Sequence, residues 1–484
     1  MALENVQGSP ERIKQSSRFI GQIVVVLVLT SIASITLLAT IVAATFKNSN
    51  AGKTLRVFSI DRFKIYISGE RPPSRLVLYA VIAIVAIAAC ALIFETLAAL
   101  LSISPKRRTL GLLRTRTDVL KNASGKVRVT VLVPAHNEED RIRATLEALH
   151  LQTRKPDRVI VVADNCSDTT VDIAESLGAI TYETIDNEHK KGGALNQILA
   201  VLLPLVKSNE VFLIMDADTS LGPRFIEVAT QHLEKDPELA AVGGVFLGEA
   251  WHGLVGQFQR NEYARYGVQI KARKGRVFVL TGTATMFRGE ALLDVAAARG
   301  IYIPGEAGKV YDTTALTEDN ELTLALKSLG ATMISPSECT VVTELMPTWR
   351  NLWIQRLRWQ RGALENLGAY GMTRATIRYW GQQFGIGYGA IALNSSIALA
   401  IITLFSLDRF IWFPFWSSVG AIFVVERVIT VWRNGRKGVL LAFLLIPELL
   451  YDVFLQVVFF NALFKITLGQ VAHWGHVQSK AVAP

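Results

Sequence analysis

Two carboxylates separated by one residue, Asp216 and Asp218, follow the apolar run Val211–Met215 in FLIMDADTS. Acids leaving a buried strand concentrate negative charge that needs a cation. Hard oxygen ligands suit Mg²⁺ or Mn²⁺, which in turn bridge to phosphate oxygens. A solvated turn with an Asp helix cap gives the same triplet, so its meaning rests on the other polar clusters. Asp164 ends a second apolar run, VIVVA, where a strand end can meet a base or ribose, while Ser167 and Asp168 suit capping of a helix from Thr170. Lys190 and Lys191, with Gly192 and Gly193, open a helical pattern. Backbone amides plus an ammonium at such a start favour a diphosphate, with a flexible basic loop as the alternative. Thr317–Glu318–Asp319 precedes apolar positions Leu322, Leu324 and Leu326, and capping by Thr317 explains part of that pattern. Gln355–Arg356–Leu357–Arg358–Trp359 lies on a helical segment with Trp349 and Trp353. Indole faces stack on sugar rings while Gln and Arg donate to hydroxyls or phosphates. The competing reading, an interfacial aromatic belt, suits Trp353 and Trp380. Nothing marks Cys166 as a nucleophile, and His473 and His476 have ligand-like spacing without a further partner.

The elements that must position these residues alternate. Val127–Val133, Arg158–Ala163, Ala179–Glu183 and Val211–Met215 read as strands; Glu138–Leu151, Thr170–Leu177 and Gly193–Leu203 read as helices. Alternation over this length predicts a mostly parallel sheet, and ligands of such sheets bind beyond the strands' carboxyl ends. His136–Asn137–Glu138, Asp164–Asn165 and Asp216–Ala217–Asp218 all fall at such ends, which argues for one shared site.

The chain has 484 residues, 50% hydrophobic and 19% charged, with a net charge of +10. That charge content is below the roughly 25% of soluble domains, so the balance leans toward lipid. Three cysteines, Cys90, Cys166 and Cys339, argue against a disulfide scaffold or a cysteine–zinc site. Uninterrupted apolar runs lie between Arg18 and Lys47 and from Leu76 to Ile103, the latter carrying only Glu95. Others run from Gly385 to Leu407, Phe410 to Trp432 and Val439 to about Leu468, where Pro447 marks an expected kink. Each meets the roughly 20 residues a span requires, giving five spans, with six as the alternative. Glu426, Arg427, Glu448 and Asp452 inside the later runs are expected to pair with one another. Lys106, Arg107, Arg108, Arg114 and Arg116, and later Arg433, Arg436 and Lys437, belong on the cytoplasmic side. The basic 47–75 loop then lies outside, against that rule. The surplus charge fits anionic headgroups and a phosphorylated substrate, and no nucleic-acid motif stands out.

The order of motifs resembles the processive family-2 glycosyltransferases: cellulose, hyaluronan, chitin and poly-N-acetylglucosamine synthases. VPAHNEE, VVADNCSD, KKGGALN, MDAD, TGTATMFR, TED and QRLRW carry the resemblance, from about Val131 to Trp359. It implies an α/β GT-A (Rossmann-like) cytosolic domain combined with an α-helical transmembrane bundle. The implied layout is a cytosolic tail (1–18), two transmembrane helices with an external loop (19–103) and the GT-A domain (104–346). QxxRW and interface helices (347–384), C-terminal transmembrane helices (385–469) and a tail (470–484) follow. The implied reaction is inverting, processive transfer from a UDP-sugar to the end of a β-linked polysaccharide, coupled to its export. By this resemblance Asp164 contacts the uracil, with Glu138, Lys191 and Asp216 around the nucleotide. Asp216 and Asp218 hold Mg²⁺ or Mn²⁺, and Asp319, beside Glu318, is the general base. Gln355, Arg358 and Trp359 hold the acceptor terminus and leaving diphosphate, and Gly282 and Thr283 begin the segment lining the acceptor. Ala163–Asp164–Asn165 departs from the two acids and glycine of many relatives. The implied partners are a UDP-sugar, with a lean toward UDP-N-acetylglucosamine, the nascent polysaccharide and lipids of the plasma membrane. Two other readings stay open: single-sugar transfer to a lipid carrier, and a channel or transporter with an inactive nucleotide-binding domain.

Overall fold

The structure, a computed structural model, describes residues 54–60, 63–68, 126–250, 252–273, 275–406, 410–412 and 414–470. The two N-terminal apolar runs, Glu95, the basic cluster at 106–116, and His473 and His476 lie outside the described residues.

Strands β1 (Thr54–Ile60) and β2 (Phe63–Ser68) form a hairpin. The main sheet is built from β3 (Arg128–Ala135), β4 (Arg158–Ala163), β5 (Ile180–Glu183), β6 (Glu210–Met215), β8 (Leu239–Gly243), β10 (Ala284–Arg288) and β11 (Thr332–Ile334). A smaller sheet joins β7 (Ser220–Leu221), β9 (Val245–Gly248) and β12 (Thr340–Thr343), and β13 (Phe410–Trp412) pairs with β2. The main sheet has seven strands in the order β11-β8-β10-β6-β3-β4-β5. All its pairings are parallel except those of β10, which runs antiparallel to both β6 and β8.

Both faces are covered, which explains the near-continuous apolar strands. Leu132 joins one core with helices α3 (Lys190–Leu202), α6 (Gly289–Ala298) and α7 (Glu318–Ser328). Val129, Val131 and Val133 join the other with α1 (Ile142–His150), α2 (Thr170–Ser176) and α4 (Phe225–Lys235). The expected α1 starts later than its sequence pattern, because Glu138–Arg141 forms a turn closed by Arg141 N–H to Glu138 O at 3.0 Å. Ahead of α2, Asp168 accepts from Thr170 N at 3.0 Å, while Ser167 does not cap the helix and its hydroxyl instead donates to Asn137 Oδ1 at 3.3 Å.

Beyond the sheets, α5 (Gly253–Ala272) and α8 (Trp349–Tyr370) lie against the C-terminal helices α10 (Pro414–Val431), α11 (Gly435–Phe443) and α12 (Ile446–Thr467). Leu364 packs on Phe459 and Leu463, and Phe258 and Leu352 on Leu441 and Tyr451. The run from Val439 to Leu468 is not one kinked helix. It breaks at Leu445, whose φ is +50°, and Pro447 sits in the first turn of α12, where its missing N–H has no partner to lose. Among the described residues, α12 is the one helix both long and apolar enough to cross a bilayer. In helix α9 (Ile377–Ser406), no atom of the described residues lies within 4 Å of where a Cβ would stand at Gly385 and Gly389. Trp380 does not belong to an interfacial belt: it is 3% exposed, packs with Phe278, Leu324 and Tyr379, and donates to Gly371 O at 3.1 Å. Arg427, Glu448 and Asp452 do pair, with Arg427 contacting Glu448 at 3.0 Å and Asp452 at 2.5 Å. Arg265 of α5 reaches the same Glu448 at 2.9 Å, tying the α/β unit to α10 and α12.

Candidate active site

Asp164 sits where β4 ends, and its backbone N–H continues the ladder to Ala135 O at 2.8 Å. Its Oδ1 accepts from Asn187 Nδ2 at 2.7 Å, Thr184 Oγ1 at 2.9 Å and Asn165 Nδ2 at 3.3 Å. Loading one oxygen with donors fixes the carboxylate as an acceptor. The flanking turns hold Asn137 and Asn165 at φ +56° and +49°, a conformation asparagine tolerates better than most residues.

Asp216 and Asp218 leave β6, which is separated from β4 by β3. Asp216 N–H donates to Thr283 O at 3.0 Å, which brings the start of the 282–288 segment alongside the acid triplet. Burial and then the nearby Asp216 and Glu344 carboxylates push the Asp218 carboxyl up to about 7. Burial and Asp218 do the same to Glu138, also to about 7. Four acids therefore crowd one corner, and Arg141, bonded to Glu344 at 3.0 Å, offsets them only in part. A corner that holds protons this tightly favours a cation, so the side chains present fit a divalent metal. Among the described residues no three His, Cys, Asp or Glu side chains form a complete cage. That agrees with a hard cation held by one or two carboxylates and completed by phosphate and water. Glu344 was not legible in sequence; the end of β12 brings it from more than a hundred residues away.

Lys191, in the first turn of α3, donates to Asp216 Oδ1, reaches Gly282 O at 3.2 Å and stands 3.8 Å from Glu318 Oε1. Burial pulls its ammonium down, but the Asp216 and Glu318 carboxylates outweigh that and hold it above its usual range. Asp319 lies in the first turn of α7. Its Oδ2 accepts from Gly282 N–H at 3.1 Å and its Oδ1 from Asn320 N–H at 2.8 Å. Burial and then Glu318 push its carboxyl up to about 6, against the pull of Lys191 and Arg358. Between Lys191 and Asp319 is a cavity of about 20 Å³ lined also by Thr281, Gly282, Tyr311 and Glu318. That volume suits roughly one water. Tyr311 is the second residue that sequence reasoning missed; no local pattern singles it out.

Helix α8 is fixed over this acid pair. Thr317 occupies the cap position of α7 without capping it; its oxygens instead accept from Asn366 Nδ2 of α8, both at 3.2 Å. Gly362 makes the crossing close, since a Cβ there would stand 2.5 Å from Thr317 Oγ1. The charge of Arg358 is felt by both Asp319 and Lys190, so it bears on the same pocket. Gln355 accepts from Arg356 Nη1 at 2.9 Å, and Trp359 lies with its ring centroid 4.2 Å from the Arg356 guanidinium. The structure thus brings Lys191, Asp216, Gly282, Glu318 and Asp319 into direct contact, with Asp218 and Glu138 electrostatically linked to Asp216. Asp164 stands at the end of β4, two strands away from β6 with β3 between. The arrangement offers a carboxylate ringed by donors at Asp164, an acid corner for a cation, the Asp319 carboxyl near 6, and the Arg358 charge of α8 bearing on that carboxyl; Gln355 and Trp359 are held by Arg356.

Residues 127–362 match the family model described as Glycosyltransferase like family 2. A poly-beta-1,6-N-acetyl-D-glucosamine synthase of Staphylococcus aureus (strain MSSA476) is 26% identical over 246 residues, covering 49% of this chain and 55% of the relative. A probable glycosyltransferase YdaM of Bacillus subtilis (strain 168) is 32% identical over 248 residues, covering 49% of this chain and 55% of the relative. The chain spans about half the length of these curated relatives. Among solved structures, the mannosyltransferase PcManGT from Pyrobaculum calidifontis, in complex with GDP-Man and Mn²⁺, is 16% identical with a TM-score of 0.46. That likeness covers 78% of this chain and 100% of the other.

Proposed function

From the premise that residues 127–362 are a family-2 glycosyltransferase domain, we propose that the chain moves a hexosyl group from a UDP-sugar to the end of a growing β-linked polysaccharide. The observation that carries this reading is Asp319, a carboxylate pushed up to about 6, fastened to Gly282 N–H at 3.1 Å beneath the Gln355–Trp359 helix. Near neutral pH that carboxylate is charged yet basic enough to take the proton of a sugar hydroxyl, a role worth about 10²–10⁴-fold. Asp164 accepts the imide N–H of uracil. Glu138 and Asp216 flank the nucleotide, and Asp216 and Asp218 hold Mg²⁺ or Mn²⁺. The bound cation supplies charge neutralisation for the departing diphosphate. Lys191, now on Asp216, exchanges that partner for diphosphate oxygens, and Arg358 adds a second positive charge where negative charge grows. Gly282, Thr283, Gln355 and Trp359 seat the acceptor terminus. Attack opposite the leaving UDP inverts an α-linked donor into a β-linked product, with the hydroxyl proton passing to Asp319.

Repeated addition and export are part of the same proposal. Support for a multi-pass membrane part comes from α12 and from the apolar side chains that α10 and α12 leave exposed, such as Ile422 at 69% and Leu450 at 65%. Further support is the parallel pairing of β13 with β2, which sets the β1–β2 hairpin beside the short strand that precedes α10. If the 385–407 and 410–432 runs both span, β13 between them faces outward, and so does the hairpin it pairs with. Incubating the detergent-solubilised chain with a labelled UDP-sugar and Mn²⁺ tests the reading. Long, β-glycosidase-sensitive product is expected; short lipid-linked species alone would overturn processivity, and no UDP release would overturn the transfer itself.

A further inference from the structure

The pattern QxxRW leaves its second position open, and in this chain that position is Arg356, one of the most enclosed charges in the molecule at 3% exposure. Burying a guanidinium is costly unless it is paired and hydrogen-bonded; here both Nη groups are engaged, while Nε has no hydrogen-bond partner among the described residues. Its Nη1 donates to Gln355 Oε1 at 2.9 Å, and its Nη2 to Glu262 Oε2 of α5 at 2.9 Å. Its plane lies over the Trp359 ring, 4.2 Å from the centroid. Glu262 Oε2 also accepts from Tyr451 OH of α12 at 2.7 Å, and the Tyr451 ring stacks on Phe258 of α5 at 4.8 Å and 9°.

Each contact has a consequence for a neighbour. With its carbonyl oxygen taken by Arg356, Gln355 keeps its NH₂ as the group it can offer outward. With one indole face covered by the guanidinium, the opposite face of the half-buried Trp359 is the one a sugar ring would have to use. We propose that Arg356 is a positioning residue for the acceptor, setting the Gln355 amide and the Trp359 ring, and that Glu262 and Tyr451 hold Arg356 so that α12 takes part in acceptor recognition. This rests on the functional reading above and adds to it residues that the motif does not name. Arg356 touches neither donor nor acceptor; it acts through the two side chains that do.

The test is steady-state kinetics of the full chain in detergent, following UDP release from UDP-N-acetylglucosamine with an added β-1,6-linked N-acetylglucosamine tetramer. Arg356→Lys keeps the charge but loses the fork, and Glu262→Gln weakens the anchor while keeping its shape. Both are expected to raise the acceptor KM about tenfold, as loss of a charge-assisted hydrogen bond does, with donor KM within about twofold. Tyr451→Phe removes one hydrogen bond and should give a rise of about threefold. Should Arg356→Lys not fold, Glu262→Gln and Tyr451→Phe carry the same split. Donor and acceptor KM moving together, kcat falling with neither KM changed, or no change at all would overturn the assignment. Those outcomes are read against a working wild type. A wild type that releases no UDP from any UDP-sugar instead overturns the functional reading, and this proposal with it.

Discussion

Replacing Gly282 by alanine tests how tightly the base must be held. A Cβ at that position would stand 3.2 Å from Asp319 Oδ2, 3.3 Å from its Cβ and 3.4 Å from its Cγ. Ordinary carbon contacts begin a few tenths of an ångström farther out, so the carboxylate must retreat by about that much. It cannot swing freely, because Oδ1 is tied to Asn320 N–H at 2.8 Å in the first turn of α7. If a misplacement of about 1 Å costs roughly 10²-fold, a few tenths should cost about three- to tenfold in kcat. The same retreat stretches the Gly282 N–H bond to Asp319, a bond that favours the charged carboxylate. Its loss raises the Asp319 pKa, so the acid limb of the pH–rate profile should move upward. The assay is UDP release across pH 5–8 with donor and acceptor saturating. An unchanged kcat with an unmoved acid limb would refute the reasoning, because neither the clash nor the hydrogen bond would then matter.

Other expectations follow from the same contacts. Glu318→Gln removes the charge that, after burial, pushes Asp319 up to about 6; the acid limb of kcat/KM should move to lower pH, and an upward shift would contradict the assignment of Asp319 as base. Gly362→Ala places a Cβ 2.5 Å from Thr317 Oγ1 and should destabilise by about 1–3 kcal/mol in thermal melting, with Thr317→Ala in the same chain restoring part of the loss. Arg299, 0% exposed, donates to both oxygens of Glu321, itself 1% exposed, and Tyr370 OH bonds the same carboxylate. Arg299→Met should cost about 3–5 kcal/mol, because it leaves Glu321 buried without its cation. Denaturant melts of the wild-type and substituted chains read that deficit, and equal stability would contradict it.

The site was legible where chemistry falls at the end of an apolar run. VIVVA–Asp164 and FLIM–Asp216 each declare a buried strand and the point where it meets solvent, and Thr317–Asp319 declares a helix start. Partners delivered by topology left no such mark. Glu344, Tyr311 and Glu262 lie in unremarkable stretches and reach the acids or Arg356 only because β12, the 299–317 segment and α5 fold back. Thr317 shows how a local rule can be overridden, since its hydroxyl serves Asn366 across the helix crossing and does not cap its own helix. Trp380 looked like an interfacial aromatic because the adjacent sequence turns apolar, yet its indole N–H found Gly371 O and its ring found a core. In the 439–468 run composition correctly gave apolar helix, but only the left-handed Leu445 decides where it breaks.

The central claim is that Asp319 deprotonates the acceptor in a pocket shared with the nucleotide acids. It is tested most directly by comparing Asp319→Asn with wild type in two readouts, sugar transfer from a labelled UDP-sugar and binding of UDP with Mn²⁺. Transfer should fall by about 10²–10⁴-fold while UDP affinity stays within about twofold. An Asp319→Asn chain that transfers sugar at the wild-type rate would contradict the account.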